Sequence, residues 1–154
     1  TIAENLRLGR PDASQADRER AAEIAQAADF IAGRDGGDEA VRGEGGGNLS
    51  GGQRQRLAIA RAIVKRPELY LFDDSFSALD YMTDLKLRQR LREEITDATV
   101  LIVAQRIGTI RHADKIIVLN EGEVVAEGRH EELLNTCGIY YDIAISQLSE
   151  EELA

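Results

Sequence analysis

The chain has 154 residues, 43% hydrophobic and 31% charged, with a formal net charge of −9. That size and balance describe a globular chain able to bury a sizeable core, and the acidic excess excludes a protein whose main task is gripping a nucleic-acid backbone. A single cysteine, Cys137, excludes an internal disulfide, and no apolar run reaches the length needed to cross a bilayer.

Thr1 to Gly9 opens the chain, and Pro11-Asp12-Ala13-Ser14 follows as turn chemistry. From Ala16 to Ala32 the spacing of Ala21, Ile24, Ala25, Ala28 and Ile31 predicts one helix with charges on its other face. Gly33 to Gly47 is glycine-rich and acidic and reads as a surface loop. Asn48-Leu49-Ser50-Gly51-Gly52-Gln53-Arg54-Gln55-Arg56 then runs into a helical stretch from Leu57 to Arg66. Serine followed three residues later by glutamine predicts a capping box. Gly51 and Gly52 place no Cβ between the backbone and a ligand. A helix N-terminus offers unpaired N–H groups and roughly half a positive charge, and Ser50 adds a hydroxyl, so the stretch suits a phosphate oxygen. An ordinary capped helix after a glycine loop is the other reading. Leu57, Ile59, Ala60, Ala62, Ile63 and Val64 give this helix a wide apolar surface. Arg54 and Arg56 either lie on a solvated face or steer anions, and Lys65 and Arg66 suit the negative helix end.

Pro67 stops that helix. Leu69-Tyr70-Leu71-Phe72 predicts a strand buried on both faces, closed by Asp73 and Asp74. Asp80 is placed to cap a helix from Tyr81, striped by Leu87, Leu91 and Ile95, with Asp84 and Arg88 one turn apart. Thr99 to Ala104 predicts a second buried strand, followed by Gln105-Arg106-Ile107-Gly108-Thr109-Ile110. His112, in a charged turn, and His130, opening a short helix, read as surface or capping residues. Ile116–Leu119 and Glu123–Ala126 flank Asn120-Glu121-Gly122, a hairpin signal. A final helix after Gly138 carries Tyr140, Tyr141 and Ile143 as packing residues, and Ser149 to Glu152 forms an acidic tail.

These residues resemble a known family. Leu49-Ser50-Gly51-Gly52-Gln53 is similar to the signature motif of ATP-binding-cassette (ABC) ATPases. The strand ending at Asp73 resembles their Walker B, and Ser77-Ala78-Leu79-Asp80 their D-loop, in the family's order and spacing. The resemblance implies an α/β fold: a P-loop NTPase (RecA-like) ATPase core, represented by its C-terminal half, plus most of the α-helical signature subdomain. Residues 1–66 would form the helical subdomain and flanking loop. Residues 67–154 would form the second half of the core, with Walker B, D-loop, switch region and C-terminal helices. Thr1 to Gly9 resembles the segment after the Q-loop in the exporter branch. Val41 to Gly46 resembles the exporter loop that faces the membrane domain, with a plain connector as the other account of Glu44. The sequence contains no Gly-x-x-x-x-Gly-Lys-Ser/Thr, which in the family lies upstream of a segment like Thr1 to Gly9. Very weak ATP binding and no hydrolysis are therefore expected of this stretch alone.

The resemblance also implies roles. Leu49, Ser50, Gly51, Gly52, Gln53, Ser77 and Asp80 would bind nucleotide, and Asp73 would orient Mg²⁺ through water. The position after Asp73 usually carries the glutamate that polarises the attacking water. Here it is Asp74, one methylene or about 1.5 Å shorter in reach. Gln105 stands where the family has a histidine touching the γ-phosphate, and glutamine carries neither proton nor positive charge. Asp74 and Gln105 together describe a site that holds ATP and hydrolyses it slowly. ABC domains pair head to tail, so the implied partner is a second nucleotide-binding domain, in a homo- or heterodimer, whose site this chain's signature motif completes. A transmembrane domain is the other implied partner, the location is the cytoplasmic face of the cell membrane, and nucleic acid is not expected. The competing readings are a soluble ABC ATPase of DNA repair or translation, and a dimerising regulatory module without turnover.

Overall fold

The computed structural model describes residues 1–41, 43 and 47–149, so most of the exporter-like loop, Glu44 included, and the acidic tail beyond Ser149 lie outside the described residues. The chain divides into two compact units, Thr1–Leu101 and Ile102–Ala154.

The first unit begins with helices α1 (Ile2–Arg7), α2 (Gln15–Ile24) and α3 (Ala28–Ala32), then a 3₁₀ turn at Gly37–Glu39. The single helix expected over residues 16–32 is broken, because Gln26 adopts a left-handed backbone at φ 56°. The break has a partner. Arg56, from the next helix, donates to the Gln26 carbonyl at 2.6 Å and sits 4.8 Å over the Phe30 ring. Arg56 is therefore neither on a solvated face nor open to anions; burial lowers its pKa below the usual guanidinium value.

Helix α4 (Gly51–Lys65) buries Leu57, Ile59, Ala60, Ile63 and Val64 and packs against α1 and α2. Arg66 closes it with a left-handed φ of 50°, ahead of Pro67, and reaches back to Asp17 at 2.8 Å. Asp17 is a hub. Its carboxylate accepts from the Ser14 hydroxyl (2.8 Å) and amide (3.1 Å), and it pairs with Arg10 at 2.5 Å.

Strands β1 (Leu69–Asp73) and β2 (Thr99–Val103) form a two-stranded sheet. Neither is buried on both faces, as their apolar runs lead one to expect. In β1 Tyr70 and Phe72 point into the core while Leu71 is 63% exposed, and β2 leaves Leu101 and Val103 about half exposed. The physical reason is that each strand has one neighbour in the sheet, and the described chain covers one face of β1 and leaves β2 largely exposed. Between them runs α5 (Tyr81–Glu94), capped by the Asp80 carboxylate on the Thr83 amide at 3.0 Å. Its Asp84–Arg88 pair is bidentate, at 3.0 and 3.2 Å, and buried.

The second unit contains α6 (Ile107–Ile110), strands β3 (Ile116–Asn120) and β4 (Glu123–Gly128), α7 (His130–Thr136) and α8 (Gly138–Ile145). The strands pair as the expected hairpin, turning through Glu121 (φ 51°) and Gly122 (φ 84°). Ile107, Ile116, Val118, Leu133, Cys137, Tyr140 and Ala144 form its core. His130 is not a cap, a position Arg129 holds; its Nδ1 bonds the Tyr140 hydroxyl at 2.8 Å. Tyr140 packs as expected, but Tyr141 and Ile143 face outward. No described helix is long and apolar enough to cross a membrane.

Two stability tests follow from this packing. Asp84→Ala removes the bidentate partner of a buried guanidinium, so a urea titration should show about 3 kcal/mol of lost stability; a loss within ordinary scatter would disprove the pairing. The Ser14 hydrogen bonds, with Arg10, hold the Asp17 carboxyl at about 2, against 3.8 unperturbed. A depressed carboxyl pKa stabilises the fold above its unfolded value and loses that contribution as pH falls through the folded one. The stability gap between wild type and Asp17→Asn should thus be full at pH 7 and close between about pH 4 and about pH 2; a constant gap would count against the hub.

Candidate functional site

The first turn of α4 carries the expected capping box. The Gln53 amide donates to the Ser50 hydroxyl oxygen at 3.2 Å, and the Ser50 amide donates to Gln53 Oε1 at 3.0 Å. Arg54 makes the first intrahelical bond, to the Ser50 carbonyl at 2.9 Å. The Gly51 and Gly52 amides precede that bond, which leaves them among the orphan donors of a helix start. Ser50 is exposed, and its hydroxyl accepts within the box and keeps its own hydrogen for another acceptor. A 15-residue helix thus points unpaired amides and a hydroxyl outward. Leu49 is buried, and Arg54, exposed as a residue, donates to its carbonyl at 2.7 Å, a staple to the incoming loop.

The turn after β1 is joined to this helix. Gln55 donates from Nε2 to the Asp74 carbonyl (3.2 Å) and the Ser77 hydroxyl (3.1 Å), and its Oε1 accepts from the Ala78 amide at 2.9 Å. Ser77 closes the turn by donating its hydroxyl to the Asp74 carbonyl at 3.0 Å. A methyl group at Gly52 would lie 2.9 Å from the Ala78 carbonyl oxygen, so the absence of a side chain there is first a need of the chain itself. At Gly51 a methyl would make ordinary contacts, with the Ala78 Cβ at 3.5 Å and Arg54 Nη2 at 4.0 Å.

Asp73 and Asp74 are exposed at the end of β1. Their backbone carbonyls accept from Ser75, Gln55 and Ser77, while their carboxylates have no hydrogen-bond partner among the described residues. Two free carboxylates beside the strand end suit Mg²⁺, which keeps several waters and takes one or two protein carboxylates plus phosphate oxygens. Asp74 holds φ at 46°, a left-handed conformation that aspartate tolerates better than most residues. Asp80 spends its carboxylate on the α5 cap, and the Thr83 hydrogen bonds lower its pKa. The structure thus brings Ser50, Gly51, Gly52, Gln53, Asp74 and Ser77 onto one connected corner.

Gln105 belongs to the second unit, where it is exposed. Its carbonyl accepts from Gln147 Nε2 at 2.9 Å, and the Ile107 amide donates to Gln147 Oε1 at 2.9 Å. Gln55 and Gln147 both escaped the sequence reading. Gln55 stood inside the motif and could have been found from its helical position two residues beyond Gln53. Gln147 carried no signal, since its two contacts lie 40 and 42 residues away along the chain.

The family model for the ABC transporter matches residues 1–77, half of the chain. The chain belongs to the ABC transporter family. It is 44% identical over 154 residues, its whole length, to a β-(1→2)glucan export ATP-binding/permease protein, NdvA, of Rhodopseudomonas palustris, covering 26% of that protein. It is 41% identical over 152 residues to an ATP-dependent lipid A-core flippase of Chromobacterium violaceum, covering 99% of this chain and 26% of the flippase. A bacterial Atm1-family ABC exporter solved with ATP bound matches it at 40% identity with a TM-score of 0.92, over 97% of this chain and 26% of that one. The P-loop NTPase fold expected of an ABC exporter domain is therefore the fold of this chain. The chain spans about a quarter of the length of these relatives.

Gly51 and Gly52 separate in a stability measurement. Gly52→Ala drives a Cβ against a backbone oxygen and should lower the urea midpoint by about 1–3 kcal/mol of stability, in the range of overpacking costs. Gly51→Ala should stay within about 0.5 kcal/mol of wild type. Equal effects would disprove the close approach between Gly52 and Ala78.

Proposed function

We propose that this chain is the signature-bearing part of a nucleotide-binding domain that couples ATP binding and hydrolysis to export across a membrane. The observation that carries the reading is the open first turn of α4, where the exposed Ser50 hydroxyl and the Gly51 and Gly52 amides await an acceptor. Such a turn binds an anionic oxygen through N–H and O–H donors and the helix dipole, without a side-chain charge. In a head-to-tail pair it would grip the terminal phosphate of an ATP held by the P-loop of a second nucleotide-binding domain. Gln53 acts as the cap that fixes the Ser50 rotamer, and Ser77 and Asp80 lie toward the same partner.

This chain's own phosphate face would be carried by Asp73, Asp74 and Gln105, opposite a P-loop from upstream in the parent protein. Mg²⁺, held by Asp73 through water, would neutralise charge on the phosphate oxygens. Asp74 would orient the attacking water, and Gln105 would donate to the γ-phosphate. Both are weak versions of these roles. Aspartate falls about 1.5 Å short of glutamate, and misplacement of about 1 Å can cost roughly 10²-fold in rate. The left-handed backbone at Asp74 supports this reading, because aspartate gains in backbone fit what it loses in reach. The own site would then hold nucleotide and turn over slowly, within a heterodimer whose other site does the work. By itself the chain, with no P-loop sequence, would bind ATP very weakly and hydrolyse none.

The parent would place this domain on the cytoplasmic face of the cell membrane, against a transmembrane domain. A glucan exporter and a lipid A-core flippase are almost equally similar to this segment, at 44% and 41% identity. The exported substrate is therefore selected elsewhere in the parent.

Two substitutions in the full-length assembly test the reading through ATPase rate. Gly51→Asp sets a carboxylate at the phosphate-gripping turn and should abolish hydrolysis. Asp74→Asn alters a site already impaired and should cost less than about threefold, well below the 10²-fold or more expected of a competent base. Loss of activity with Asp74→Asn and retention with Gly51→Asp would refute the assignment.

A further inference from the structure

Helix α6 starts without help from its own neighbourhood. Its N-cap residue, Arg106, lends no side-chain cap, and Gln105 precedes it with an exposed side chain. The cap comes from 40 residues further along, where Gln147 Oε1 accepts from the Ile107 amide at 2.9 Å. The same amide group turns its Nε2 to the Gln105 carbonyl, also at 2.9 Å. One planar side chain therefore brackets the backbone on both sides of Arg106. Gln147 is itself anchored, because its own amide donates to the Ala144 carbonyl at 3.0 Å and the next residue's to the same oxygen at 2.9 Å. Ala144 is fully buried, in a cluster with Tyr140 and Leu133. A continuous path thus runs from the core of the second unit, through the end of α8, to the peptide that carries Gln105.

We propose that Gln147 is a positioning residue for Gln105: it fixes the peptide from which the Gln105 side chain reaches toward the terminal phosphate of bound nucleotide. The proposal rests on the reading of Gln105 given above. The bracket restricts rotation at Arg106 and on the carbonyl side of Gln105, so the Cα from which the Gln105 side chain reaches starts close to its bound position. A free loop would have to lose that freedom on each binding event. Gln147 does not touch the nucleotide, and acts only through Gln105.

The discriminating readout is the preference for a nucleoside triphosphate over a diphosphate, which reports the contact to the terminal phosphate alone. Mg-AMP-PNP and Mg-ADP are titrated against the full-length transporter assembled with its partner. Five proteins are compared: wild type, Gln105→Ala, Gln147→Glu, Gln147→Leu and the double variant of Gln105→Ala with Gln147→Glu. Gln147→Glu keeps an acceptor for the Ile107 amide, so α6 stays capped, but loses the donor to the Gln105 carbonyl. Gln147→Leu serves as a second variant without either bond. Gln105→Ala should lower the triphosphate preference roughly tenfold, the usual scale of a hydrogen bond to a charged group. Gln147→Glu should lower it about fivefold with an unchanged melting temperature, and the double variant should be no worse than Gln105→Ala, a non-additivity that marks one pathway. An unchanged preference in Gln105→Ala would reject the phosphate role of Gln105 itself. A loss in Gln105→Ala with no loss in Gln147→Glu and Gln147→Leu, or with additive losses, would overturn the positioning role while leaving Gln105 in place.

Discussion

The arrangement depends on how closely the first turn of α4 approaches the turn after β1. With 2.9 Å between the position of a Gly52 methyl and the Ala78 carbonyl oxygen, the two backbones are in contact and only glycine fits. Gln55 then locks the contact by bonding three separate groups of the 74–78 turn. The helix start with its unpaired amides and the strand end with its exposed carboxylates are consequently joined into one piece. Gln55 ties the two segments through three hydrogen bonds, so a displacement of one strains its links to the other.

That rigidity gives the asymmetry of the site its physical content. The α4 turn has what anion binding needs: unpaired amides, a hydroxyl hydrogen and a helix long enough to carry a dipole. The groups proposed for chemistry are each a step short of their task. Asp74 has free carboxylate oxygens, but on a shorter arm and a left-handed backbone. Gln105 can donate a hydrogen bond and stabilise no developing charge by titrating. On the proposed reading, the α4 turn would be intact for binding while the residues for turnover would be attenuated.

How far this could be seen in the sequence varied with the range of the forces involved. The capping box at Ser50, the Asp80 cap, the Asp84–Arg88 pair and the hairpin at Glu121-Gly122 are local, set by residues within four positions of one another, and each formed as the spacing indicates. The expected helix over residues 16–32 failed because the reason for its break, the Arg56 guanidinium, lies 30 residues away. A similarly long separation along the chain hid the second role of Gly52, which reads as open to a ligand until the Ala78 carbonyl is placed against it. The strands misled differently. Continuous apolar residues in β1 and β2 are right for a doubly covered sheet, but burial is a property of what lies against a strand, and the described chain covers one face of β1 and leaves β2 largely exposed.

The choice of glutamine at both brackets has a common cause. A loop presented to a polyanion needs its backbone held on both donor and acceptor sides, and few neutral side chains carry both groups in one plane at that reach. Glutamate could cap Ile107 but would repel the Gln105 carbonyl. Lysine or arginine could hold a carbonyl but offers nothing to an amide. An amide does both jobs with no net charge, so Gln55 can order the turn at Asp74 and Gln147 the peptide at Gln105 without adding charge to either.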